Sequence, residues 1–266
     1  MIKLAKRKEN ILKLTDHTPF VITICSGKGG VGKSVLSANL SYLFAEKGLK
    51  TLIWDADSQF PNQHLLFGVE PPVRLSQVYS NRVPVKTAIF NLSERLDLLA
   101  DMPASGLAED YGQNPVLDVY KELLLDTNYD VILIDAPAGA SDQVLHCCNI
   151  SNHIAVVITD EPTSLLDGYG LIKILLSFLN KDKISLLVNN VIDLEDAEDI
   201  SEKLNKATHK FLKVEFEKLG FVPYDRIVRQ SIIKQELFCK NENASDLIKS
   251  LEIIADNISH KIKLFY

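Results

Sequence analysis

SGKGGVGKS, residues 26–34, lies between the apolar run PFVITIC and the periodic segment VLSANLSYLFAEKG. Gly27, Gly32, Lys33 and Ser34 satisfy G-x-x-x-x-G-K-[ST] in the setting that gives the pattern meaning, a strand before it and a helix after it. In such a loop, which here also holds Gly29, Gly30 and Val31 and leads into Val35, backbone N–H groups and the helix start cradle phosphate oxygens. The same chemistry sends Lys33 to the β- and γ-phosphates of a nucleoside triphosphate and the Ser34 hydroxyl to Mg²⁺. Lys28 is surplus to that cradle, because one lysine already serves the terminal phosphates.

Outward from the loop, apolar runs bounded by turn signals recur: TLIWD, LDLLAD, YDVILID, HIAVVIT, ISLLVNN and KLGFVPY. Several are too continuously apolar for one-sided antiparallel strands. Segments of helical period lie between them, at 34–48, 115–125, 164–179, 197–212 and 244–260. Strand alternating with helix predicts an α/β fold, a mostly parallel sheet flanked by helices on both faces. No stretch rich in Gly, Ser or Pro divides the chain, so one domain is expected over 19–260. A basic arm, 1–18, precedes it and a short basic and aromatic tail, 261–266, follows. The segment 67–102 has several prolines and weak periodicity and is expected to wrap the sheet edge.

Two of the strands end in carboxylates. LIWDADSQFPN closes on Asp55 and Asp57, and YDVILIDAPAGAS places Asp135 after four apolar residues, ahead of a flexible run Pro137, Ala138 and Gly139. The C-terminal ends of strands are where open α/β sheets bind ligands. Asp135 is therefore expected to hold Mg²⁺ through water, since magnesium keeps part of its hydration shell.

Composition narrows the function. Within 266 residues the net charge is −6, against a protein that holds nucleic acid by bulk electrostatics. Cys25, Cys147, Cys148 and Cys239 form neither a CxxC pair nor a zinc-spaced cluster, and the N-terminus lacks the apolar core of a signal peptide. The apolar runs fall short of the ~20 residues that span a bilayer. A reducing cytoplasm is the expectation.

KGGVGKS resembles the deviant loop of the MinD/ParA ATPases, in which an additional lysine reaches across a dimer to the partner's nucleotide. The resemblance runs from about Phe20 to Ala255. It implies ATP and ADP as ligands with Mg²⁺, a homodimer closed by ATP, and Lys28 acting in trans, as an arginine finger does. It makes Asp57 the switch residue that orients the attacking water and the magnesium shell. Asn189, closing ISLLVNN, matches the family's adenine-reading asparagine, and Pro223, Tyr224 and Asp225 match the loop flanking the base. No N/TKxD motif for guanine is present.

EPTSLLDGYGLIKIL and FLKVEFEKLGFVPYDRIVRQSIIKQELF look most like the FlhG/FleN branch, MinD-type ATPases that control flagellar number and placement. That branch implies flagellar partners: an FlhF-like GTPase, switch proteins or a transcription regulator. The arm departs from it, carrying KLAKRKENILKL where relatives often have a D-Q-A-x-x-L-R-like element that stimulates FlhF. Division-site selection of the MinD type is the nearest alternative, and ParA-type DNA partitioning is disfavoured by the acidic total. Iron–sulfur carriers of the same fold need cysteines that meet at a dimer axis, and neighbours such as Cys147 and Cys148 read instead as helix packing. Tyr266 alone does not make the C-terminal tyrosine cluster of the related kinases. Leu247, Leu251, Ile254, Ile258, Ile262 and Phe265 form one stripe at intervals of three and four. Such a stripe suits a helix docked on its own domain. Its basic, aromatic end HKIKLFY also suits peripheral contact with a membrane.

Overall fold

The structure is a computed structural model and describes residues 18–81, 83–100, 114–126 and 128–266. The basic arm expected over 1–18 lies, apart from Thr18, outside the described residues.

β1 (Phe20–Ser26) is buried along its whole length because both of its faces are covered. Val21 and Cys25 enter the core on one side of the sheet, Ile22 and Ile24 the core on the other. α1 (Lys33–Glu46) starts from Gly32, whose left-handed φ of 92° lets the loop turn straight into the helix, and stops before Gly48. β2 (Thr51–Asp55) follows, then the short α2 (Gln63–Leu66) and α3 (Leu75–Asn81), then β3 (Ile89–Ser93) and β4 (Leu96–Leu99). α4 (Pro115–Asp126), β5 (Val131–Ala138), α5 (Asp142–Ile150), β6 (His153–Ile158), α6 (Pro162–Leu175), β7 (Ile184–Val191), α7 (Leu194–Leu212), β8 (Glu217–Pro223), α8 (Arg226–Lys234) and α9 (Ser245–Phe265) complete the order.

The eight strands lie in the order β3-β4-β2-β5-β1-β6-β7-β8, parallel throughout except for β3 against β4. The α/β, mostly parallel sheet expected from sequence is thus the observed one. The weakly periodic segment does form the sheet edge: β4 pairs with β2, and β3, half exposed, folds back antiparallel outside it. The sheet reverses its winding at β1, and the loop 26–34 leaves β1 there, at the carboxyl ends of the strands.

Two cores result. One, with α4, α5, α6 and α7, packs on Val21, Ile132, Ile134 and Val156, and takes in Cys147 and Cys148 of α5. The other packs α1 and α9 on Ile22, Ile24, Leu133 and Leu187. Helix starts follow local caps. The Asp193 carboxylate accepts from Asp196 N–H, so α7 begins three residues before the periodic stretch at 197, and Pro162 sits in the first turn of α6. Of the short tail expected over 261–266, residues 261–265 continue α9, which runs unbroken to Phe265, and Ile262 is buried. Among the described residues no helix is long and apolar enough to cross a membrane.

Candidate functional site

The loop 26–34 is built around close approaches. A Cβ on Gly27 would stand 2.1 Å from the Asp167 carbonyl oxygen in α6, and one on Gly32 would stand 2.3 Å from Asn189 Nδ2. Real Cβ atoms do not come so near, so both positions need glycine for space, and Gly32 needs it for its φ as well. Asn189 holds the loop directly, its Nδ2 donating to the Val31 carbonyl at 2.8 Å. That bond leaves Oδ1 as the free end of the amide. Beside it, Tyr224 N–H donates to the Val191 carbonyl at 2.7 Å. Asp225 caps α8 by accepting from Ile227 N–H at 2.8 Å, and Pro223 pairs in register with Val191.

Lys33 is buried at the start of α1, while Asp55 and Asp135 sit opposite each other at the ends of β2 and β5. Both carboxylates are fully enclosed. Burial, and next to it the Asp135 charge, push the Asp55 carboxyl well above the ordinary carboxylate range, while backbone N–H groups of Gln63, Asn62 and Asp57 pull it back. Burial also raises Asp135, and hydrogen bonds from Gln63 and Ser34, the Lys33 ammonium and a hydrogen bond from Ser37 oppose it. A buried carboxylate is tolerable only with such partners. Gln63 Nε2 donates to Asp135 Oδ2 at 2.8 Å and to the Ser34 carbonyl at 3.0 Å, and Ser37 Oγ donates to Asp135 Oδ1 at 3.3 Å.

The donor set fits magnesium rather than a caged metal. Among the described residues no group of three His, Cys, Asp or Glu could hold an ion. What stands there is one hydroxyl, Ser34, hydrogen-bonded to one carboxylate, Asp135. An ion that keeps its waters and borrows phosphate oxygens is suited to so sparse a site.

Asp57 lies on the loop 56–62 that follows β2 and faces elsewhere. Its Oδ1 accepts from Gln59 and Phe60 N–H at 3.1 and 2.9 Å, tightening its own turn. Lys28 is likewise outside the buried cluster. Its ammonium pairs with the Glu161 carboxylate and donates to Thr163 Oγ1 at 2.9 Å, at the start of α6 of the same chain.

Sequence reasoning assigned no role to Asp55, Gln63, Glu161 or Thr163. Asp55 was visible as a strand-end carboxylate beside Asp57. The other three had no local signal, since their partners lie far along the chain.

Residues 22–239 match the profile of the CobQ/CobB/MinD/ParA nucleotide binding domain. The chain belongs to this family. Within the MinD/ParA family it is similar to the antiactivator FleN of Pseudomonas aeruginosa, 29% identical over 231 residues that cover 82% of this chain and 79% of FleN. It is also similar to the flagellum site-determining protein YlxH of Helicobacter pylori, 26% identical over 270 residues covering 97% and 91%. In fold it is similar to the septum site-determining protein MinD of Pyrococcus horikoshii complexed with Mg-ADP, with a TM-score of 0.76 at 24% identity covering 91% of this chain and 96% of that one. The MinD/ParA membership gives residues 22–239, the loop 26–34 among them, the character of a nucleotide binding domain, and the FleN and YlxH likeness points to the flagellar regulators of the family.

Proposed function

We propose that the chain is an ATP-hydrolysing dimerisation switch that controls flagellar number or placement. The observation that carries this reading is the division of labour between the two loop lysines. Lys33 is buried at the start of α1, where its charge opposes the upward shift of the Asp135 carboxyl, whereas Lys28, in the same turn, reaches away from the cradle to the rim of α6. A cation not needed for its own chain's phosphates is free to serve another's.

In this reading Lys33 and the loop N–H groups from Gly27, Gly29, Gly30, Val31 and Gly32 bind the phosphates of ATP, with Val35 in the first turn of α1 behind them. Ser34 and Asp135 hold the magnesium shell. When bound, the ion neutralises charge that gathers on the phosphate oxygens. Asp57 turns from its own loop toward the attacking water once the triphosphate is present. Asn189 presents its free Oδ1 to the exocyclic amine of adenine, with Pro223, Tyr224 and Asp225 flanking the base. Lys28 leaves Glu161 and Thr163 to meet the terminal phosphoryl group of a second copy. The ATP-bound dimer engages flagellar partners, an FlhF-like GTPase, switch proteins or a transcription regulator, and hydrolysis releases them.

The test is Lys28→Ala. The variant should bind nucleotide as the unaltered chain does and lose ATP-dependent dimerisation, read by light scattering. Dimer formation that is unchanged in the variant would remove the trans role. Pull-down with ATP against ADP should recover flagellar proteins in the ATP arm, and recovery of division proteins would move the assignment to septum-site selection.

A further inference from the structure

Gln63 is the first residue of α2 and is completely buried. Its main chain and its side chain serve different carboxylates. The backbone N–H donates to Asp55 Oδ2 at 2.9 Å, while the side-chain amide donates to Asp135 Oδ2 at 2.8 Å. The same Nε2 also reaches the Ser34 carbonyl at 3.0 Å. One residue thereby ties together the ends of β2 and β5, the first turn of α1, and the loop 56–62 that carries Asp57. Both N–H donors of the amide are used, and its Oε1 is left buried without a partner. Buried polar groups are rarely left so, and an orphan acceptor beside a metal-binding hydroxyl and carboxylate invites a donor.

The residue type matters. A glutamate here would set a third carboxylate against Asp55 and Asp135. An apolar side chain would leave Asp135 Oδ2 without this donor and would let the carboxylate rotate. An amide fixes the plane of Asp135 without adding charge, and it does so from the residue directly after the loop 56–62 that carries Asp57.

We propose that Gln63 is a positioning residue for magnesium. It orients the Asp135 carboxylate and offers Oε1 to water of the magnesium shell, and so ties the start of α2 to metal occupancy. This rests on the ATPase reading above. The role predicts a specific loss: Gln63 sets how much magnesium the nucleotide complex needs, not how well nucleotide binds without it.

The experiment measures binding of a fluorescent ADP analogue, first in EDTA and then as MgCl₂ is titrated, for the unaltered chain, Gln63→Met, Asp135→Asn and the double variant. Thermal melting runs alongside. Gln63→Met, similar in length but without donors, should keep its affinity in EDTA within about twofold. Its half-saturating magnesium concentration should rise about tenfold, the size of one lost hydrogen bond to a charged group. In the Asp135→Asn background the same change should add little, because the two act on one carboxylate. A lowered melting temperature with unmoved magnesium dependence, or full additivity in the double variant, would show a merely structural residue and overturn the inference. Should Gln63→Met fail to fold, Gln63→Asn, polar but too short to bridge, carries the same expectations. Nucleotide binding by the unaltered chain that ignores magnesium would overturn the ATPase reading, and this inference with it.

Discussion

At the edge where β1, β2 and β5 end, the enclosed side chains are Lys33, Asp55, Gln63 and Asp135; along the seam under α9 they are Leu247, Leu251, Ile254, Ile258 and Ile262. The two regions are about equally dry. At the edge, burial costs free energy, and mutual hydrogen bonds and opposite charge only partly offset it. Along the seam, burial is itself the gain, roughly 25 cal/mol per Å² of apolar surface removed from water. The difference teaches where to look for each property: the polar edge carries the cost of buried charge, and the apolar seam holds the fold together.

The largest effect should come from separating those two properties. Lys33→Ala should lower turnover by about 10²–10³-fold, the loss typical of one buried charge-stabilising donor, while Gln63 and Ser37 still donate to Asp135, so urea unfolding should shift by less than a core truncation shifts it. Leu251→Ala, in a fully buried seam position, should do the reverse, costing about 2–5 kcal/mol of stability with nucleotide affinity unchanged. Paired unfolding and binding measurements on the two variants decide it. If Lys33→Ala destabilised as much as Leu251→Ala, the edge would have to be counted as part of the core.

A smaller effect sharpens the contrast from the seam side. His153 opens β6 in a buried position with Nε2 unpartnered, and burial together with the nearby Lys261 ammonium lowers its pKa from 6.5 to about 4, against an opposing pull from Glu217. The folded chain therefore keeps it neutral. Above pH 6.5 neither folded nor unfolded chain is charged there, and its full contribution is present. As pH falls toward 4 the unfolded chain takes up a proton that the folded chain refuses, so stability is lost, by up to about 1.4 kcal/mol per pH unit. Unfolding at pH 7 and pH 5 should differ by roughly 2 kcal/mol more for the unaltered chain than for His153→Leu. Equal differences would mean that His153 is not buried neutral.

The polar edge was the more legible region in sequence, but only where its chemistry is local. Nine consecutive residues spell the phosphate loop, and apolar runs such as VILI announce the buried strands on which it stands. Gln63 and Asp135 are 72 residues apart, Lys28 and Glu161 are 133 apart, and nothing in either neighbourhood records the meeting. β3 was blurred for another reason. β3 lies half exposed on the outside of the sheet, with a register shift between Asn91 and Ser93, so it lacks the unbroken apolar run of an interior strand. α8 was missed because its cap, Asp225, read as a base-flanking residue, and the helix is short and mostly exposed. The seam stripe was legible at once, since its six residues recur at helical spacing and five of them bury together.

The smallest effect lies where the seam runs out. Ile262 is buried, yet Leu264 is 74% exposed, and the last two residues turn back onto the domain. The Phe265 ring meets Phe20 edge-on at 5.4 Å, and Tyr266 Oη donates to the Thr18 carbonyl at 2.9 Å. Lys261, a basic residue near the end of the stripe, pairs with Glu217 at 2.5 Å. These groups would have to leave protein partners before meeting lipid, and one short turn gains little from a membrane in return. Removing residues 264–266 should therefore lower unfolding stability by about 1 kcal/mol, the scale of one aromatic pair and one hydrogen bond less the entropy of the freed end. Sedimentation with anionic liposomes in the presence of ATP should be the same for the shortened and the full chain. Liposome binding that needs these residues, with unfolding unmoved, would make the end of α9 a membrane contact and break its kinship with the seam.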